Sequence, residues 1–191
     1  MDIAINRAEQ HPIQEIDTTT DSRDYLAHAR KDAERKGFLD WLIVDIDAHH
    51  VESVSWPEIT QYIDDPVVRH QAMMYHKERV GSPPYGLNGD LGLRYQDVGG
   101  RIPHQSHQRE KVEETDVHRD VVLTRRAMHG LALDYMVLFP TPMLFLGMHP
   151  QTDMEVILTR AYNRWLTENI LTADPGIVTL VVLPFNTPEE A

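Results

Sequence analysis

Acidic and imidazole side chains alternate along Val44-Asp45-Ile46-Asp47-Ala48-His49-His50, directly after the apolar stretch Trp41-Leu42-Ile43. Side chains of an extended chain point to opposite faces in turn, so a strand persisting through the motif would set Asp45, Asp47 and His49 on one side. Two carboxylates crowded together repel unless a cation neutralises them, and oxygen with imidazole ligands suits Zn, Mn or Fe. The chemistry within reach is divalent-metal binding, with Zn2+ the first choice and Mn or Fe accommodated. His50, next in line, is a candidate substrate contact. The same spacing also allows a plainer arrangement, in which Asp47 caps a helix and both histidines sit in a solvated loop.

The elements that must position these residues are three apolar runs separated by helical segments. Residues 41–47, 133–139 and 177–183 read as strands, and the uninterrupted IVTLVVLPF run has the character of a parallel strand buried on both faces. Between the second and third, Met154, Ile157, Leu158, Ala161, Trp165 and Leu166 recur at the spacing of a helix facing a sheet, predicted over 152–171. A helix over DVHRDVVLTRRAMHG is expected to end at Gly130. Ser55 with Pro57, and Asp65 with Pro66, mark two helix starts in a segment after the first strand. Strands alternating with amphipathic helices predict an α/β fold with a parallel sheet; an open flavodoxin-like sheet and a closed barrel fit the pattern equally. A barrel requires the three strands side by side in sequence order, whereas order 2-1-3 would mark an open sheet.

On this plan residues 1–37 are a polar arm and a short helix capped at Gly37. Residues 38–191 hold three βα units, with an insertion over 51–120 that is helical at first and Gly-, Pro- and Asn-rich over 81–103. His149, beside Pro150 in the loop after the second strand, is a second candidate substrate contact if the sheet closes into a barrel, and otherwise fixes the start of the next helix. His104 and His107 have a three-residue spacing but lie among Pro, Gln and Arg, and His70 and His76 belong to the insertion helix. The methionines, Trp165 and Tyr162 read as packing residues, and Arg125–Arg126 as a solvated face able to meet a partner subunit.

Composition narrows the function classes. The 191 residues carry 30 acidic against 18 basic side chains, a net charge of -12, which repels nucleic acid and anionic membrane surfaces. Neither is an expected partner. Cysteine is absent, which excludes disulfides, thiolate nucleophiles and Cys-based zinc sites. No apolar run reaches a membrane span and the first residues lack a secretory pattern, so a cytoplasmic protein is expected. No Gly-rich phosphate loop or serine nucleophile elbow is present in the sequence.

The VDIDAHH motif followed by VES, with the later YMVLFPT, AYNRWLTENI and VVLPFNTPEEA segments, resembles the amidohydrolase-2 group of the amidohydrolase superfamily over most of 41–191. That group includes aminocarboxymuconate-semialdehyde decarboxylase and aromatic-acid decarboxylases. The resemblance implies the N-terminal part of a (β/α)8 TIM-type barrel with an insertion after the first strand. It places Asp47 and His49 on a metal-binding pair at the end of that strand, and Asp45 on an acid that often precedes it. Further family ligands, a His near the fifth strand and an Asp after the eighth, have no counterpart in these residues. What it implies in function is metal-dependent hydrolysis or decarboxylation of a small organic acid or amide, in a homo- or hetero-oligomer, with the rest of the barrel supplied by further chain or by a partner subunit. Two alternatives stand beside it: a Mn- or Fe-dependent oxygenase on the same fold, and a non-catalytic subunit of a hetero-oligomeric enzyme. The residues carrying catalysis itself are not assigned.

Overall fold

Strands β1 (Val44–His50), β2 (Tyr135–Pro140) and β3 (Ile177–Thr179) are parallel and in the order β1-β2-β3. β1 begins after Trp41–Ile43, and only the first three residues of IVTLVVLPF pair, with Val178 exposed and not buried on both faces. The computed structural model describes residues 22–50, 52–78, 112–113, 115–149 and 151–191. Residues 1–21 of the predicted arm, the Gly- and Pro-rich stretch 81–103, His104 and His107 lie outside the described residues. The chain is a mixed α/β fold on a small parallel sheet.

Strand limits differ from expectation for local reasons. β1 starts at Val44 and runs on to His50, because its last residues pair with β2 as His49 with Phe139 and His50 with Pro140. β3 stops at Thr179, since the next residues turn toward the following helix layer. There Asn163 Nδ2 donates to the Val182 carbonyl (2.8 Å) and its Oδ1 accepts from the Val182 N–H (3.2 Å).

Helices cover one face of the sheet. They are α1 (Ser22–Lys36), a single turn α2 (Trp56–Ile59), α3 (Pro66–Glu78), α4 (Arg119–Leu131) and α5 (Thr152–Asn169). Asp65 caps α3 by accepting from the N–H groups of Val67 (2.7 Å) and Val68 (3.2 Å), as its place before Pro66 predicts. α5 buries Leu158, Ala161, Tyr162, Trp165 and Leu166 against Met136, Leu138 and Ile177 of the sheet. The described part of the insertion is core material: Trp56, Ile59 and Ile63 join the same cluster, and Trp56 Nε1 donates to the Ala72 carbonyl (3.1 Å). Gly130 does not end its helix. α4 continues to Leu131, Ala132 takes the left-handed conformation (φ 56°), and Gly130 instead admits α1, for a Cβ there would lie 2.7 Å from Leu26 Cβ.

The other face of the sheet is left open among the described residues. Val44, Tyr135 and Val178 are exposed on it, and Ile46 and Leu180 stand out nearby at 73% and 60% exposure. An apolar sheet face in water is a surface that ordinarily acquires a cover.

Candidate functional site

The strand-end motif does not keep simple alternation. Along β1 three steps from Asp45 to Ala48 match two on β2 from Met136 to Leu138, so the strand carries a bulge with one extra residue. The bulge is held by Asp45, whose Oδ1 accepts from the Asp47 N–H (2.9 Å), a carboxylate bonding its own backbone two residues on. Parity flips across it. Asp45 pairs with Met136, on the register of the helix-covered face, whereas His49 pairs with Phe139 on the register of the open face. The expected common face of Asp45, Asp47 and His49 is therefore lost for Asp45.

Asp47 and His49 are brought together. His49 Nε2 lies 3.4 Å from Asp47 Oδ1, with the carboxylate side chain 86% exposed and the imidazole 35%. His49 also lies beside Phe139, ring centroids 5.9 Å apart. Among the described residues no group of three His, Asp or Glu side chains converges as a metal site, so the pair provides two ligands. Two atoms sharing a tetrahedral ion at about 2.1 Å are about 3.4 Å apart, so the observed separation fits a common ion.

His50, the candidate substrate contact, points the other way, into the helix layer. Its Nδ1 lies 3.2 Å from Asp120 Oδ2, its Nε2 lies 2.8 Å from the Tyr162 hydroxyl, and its ring runs parallel to Trp165 with 7° between planes. An ionised Asp120 can only accept, so Nδ1 carries the proton; in the neutral ring Nε2 then accepts from the Tyr162 hydroxyl. Burial pushes the Asp120 carboxyl up, but the hydrogen bond and charge of His50, with the charges of His118 and Arg119, outweigh it and hold Asp120 below the usual carboxylate range. Burial, with the charges of Glu52 and Asp120, raises the Tyr162 hydroxyl far above its ordinary value, so it stays protonated.

Glu52, fully buried, joins the exits of β1 and β2. Its Oε2 accepts from the Thr141 N–H (2.9 Å) and its Oε1 from the Met143 N–H (2.5 Å), at the start of the 3-10 segment Pro142–Met148. Burial pushes its carboxyl from 4.5 up to about 7, against the opposing pull of His50 and the two N–H groups. Thr141 Oγ1 also donates to the His50 carbonyl (2.9 Å).

His149 is buried, and its Nδ1 accepts from the Gln151 N–H (3.0 Å), which fixes the entry to α5. That is the helix-start arrangement weighed for it. Arg125 is engaged within the chain, its Nε on Asp174 Oδ2 (2.6 Å) and its Nη2 on the Ala173 carbonyl (2.6 Å). An open groove of about 580 Å³ runs past Glu58, Asp116, His118, Arg119 and Glu168, and none of Asp45, Asp47, His49 or His149 lines it.

Glu52, Asp120 and Tyr162 carry no motif that would have singled them out. The only hint was adjacency, a Glu following His49-His50 by two residues and a Tyr on the sheet-facing side of α5. No protein-family model matches this chain, and no curated protein matches it.

Proposed function

We propose that this chain supplies the first-strand metal ligands of an amidohydrolase-type enzyme that hydrolyses or decarboxylates a small organic acid or amide. The observation that carries the reading is the Asp47–His49 pair, 3.4 Å between ligand atoms, at the C-terminal end of the first of three parallel strands in sequence order. Barrel enzymes place their chemistry at that end of the strands. The chemistry a divalent ion supplies there is Lewis acidity toward a carboxylate or carbonyl, with a lowered pKa for water. The chain's own part is to hold one carboxylate oxygen and one imidazole nitrogen side by side, His49 packed along Phe139 and Asp47 open to incoming groups.

Among the described residues the open apolar face and the unpaired edges of β1 and β3 support a partial barrel completed by further βα units or by a partner subunit, which would bring the remaining ligands. The test is calorimetric titration of the chain with Zn2+, Mn2+ and Fe2+, repeated on Asp47→Ala and His49→Ala. Binding lost in both variants supports the reading; binding unchanged in both refutes it. Turnover of a panel of carboxylic acids and amides by the loaded protein then separates a catalytic chain from a non-catalytic subunit.

A further inference from the structure

The buried chain Asp120–His50–Tyr162 lies one residue from His49 and on the opposite side of the strand. It is costly to build: an acid, an imidazole and a phenol withdrawn from water, each satisfied by the next. The groove that passes His118 and Arg119 is lined by none of the three. The backbone around it shows what it supplies. The bulge in β1 lies between Asp45 and Ala48, and opposite His50 stands Pro140, which has no N–H to give. Past the bulge Ala48, His49 and His50 pair with Leu138, Phe139 and Pro140, and side-chain contacts add to that pairing. Asp120 and Tyr162 hold the two ring nitrogens of His50, and Thr141 Oγ1 donates to its carbonyl.

We propose that His50, held by Asp120 and Tyr162, is a positioning residue that sets the rotation of the strand end and so aims His49 and Asp47 at one ion. Because successive side chains leave a strand on opposite faces, fixing His50 among the helices fixes His49 toward the open face. This inference rests on the metal reading above and goes further, since it assigns a role to three residues that do not touch the metal. Loss of such supporting contacts commonly weakens metal binding by 10- to 100-fold.

The experiment reads the imidazole 15N resonances of the chain while Zn2+ is added. In the parent, His50 should show the tautomer protonated at Nδ1, and His49 should shift on binding. Two variants break the network differently: Tyr162→Phe removes one partner, and His50→Phe with Asp120→Leu removes the polar pair so that no buried charge is stranded. Gly130→Ala, at the α1–α4 contact, is the control that lowers stability without touching the network. The expected result is a Zn2+ dissociation constant about tenfold higher or more in both network variants and unchanged in Gly130→Ala. If the double variant does not fold, Tyr162→Phe alone decides. Network variants binding within about twofold of the parent, while Asp47→Ala binds poorly, would overturn the positioning role alone. A parent whose His49 resonances ignore Zn2+ would overturn both readings.

Discussion

Replacing Glu52 by Gln turns a buried carboxyl into a probe of pH-linked stability. The folded chain holds this proton more tightly than the unfolded one, because burial raises the carboxyl from 4.5 to about 7. The contribution of Glu52 to stability is therefore fully present below about pH 4.5 and is lost as pH rises through about 7. At roughly 1.4 kcal/mol for each pH unit, that interval amounts to about 3 kcal/mol, a large share of a typical domain's stability. The amide brings its own cost, since both Glu52 oxygens accept backbone N–H groups and Gln offers one acceptor and one donor; about 1–3 kcal/mol is expected, independent of pH. Urea unfolding of both proteins across pH 4 to 8.5 separates the two effects. The parent should lose about 3 kcal/mol relative to Glu52→Gln across the window, whatever the constant offset. Asp120 and Asp174 do not confuse the comparison, because their carboxyls are held below 3.8, so their contribution is present above that value and falls away only in more acid solution. Parallel stability curves for the two proteins would refute the reasoning.

Three further outcomes follow from named contacts. Gly130→Ala should destabilise the chain by about 1–3 kcal/mol in thermal or urea unfolding, because the new methyl meets Leu26 Cβ at 2.7 Å. Asp45→Asn keeps an oxygen for the Asp47 N–H, so stability should change by no more than about 0.5 kcal/mol and Zn2+ affinity should hold; a marked loss of affinity would make Asp45 a ligand after all. Ile46→Lys, on the most exposed apolar side chain of β1, should raise the monomer fraction in light scattering, whereas a parent already monomeric at high concentration would remove the case for a covered face.

Much of the layout was legible because it depends on local pattern. Apolar segments announced that there are three strands, the order followed from expecting consecutive βα units, and the spacing of Leu158, Ala161, Trp165 and Leu166 announced which side of α5 is buried. Asp65 before Pro66 was readable because a cap and its donors lie within three residues. What failed depended on partners distant in sequence. Gly130 reads as a helix end in sequence because only the approach of Leu26, distant along the chain, explains it. The common face of Asp45 and His49 assumed an unbroken ladder, which the bulge removes, although an aspartate can bond the backbone N–H two residues on, as Asp45 does. The buried network was invisible for a plainer reason: His50 meets Asp120 and Tyr162 across 70 and 112 residues.

The central claim is that Asp47 and His49 share one divalent ion. Zn-edge anomalous diffraction from crystals grown with Zn2+ tests it most directly. The expected result is a peak within about 2.0–2.2 Å of both His49 Nε2 and an Asp47 carboxylate oxygen. An occupied zinc site elsewhere in the chain, with both side chains turned to solvent, would contradict it.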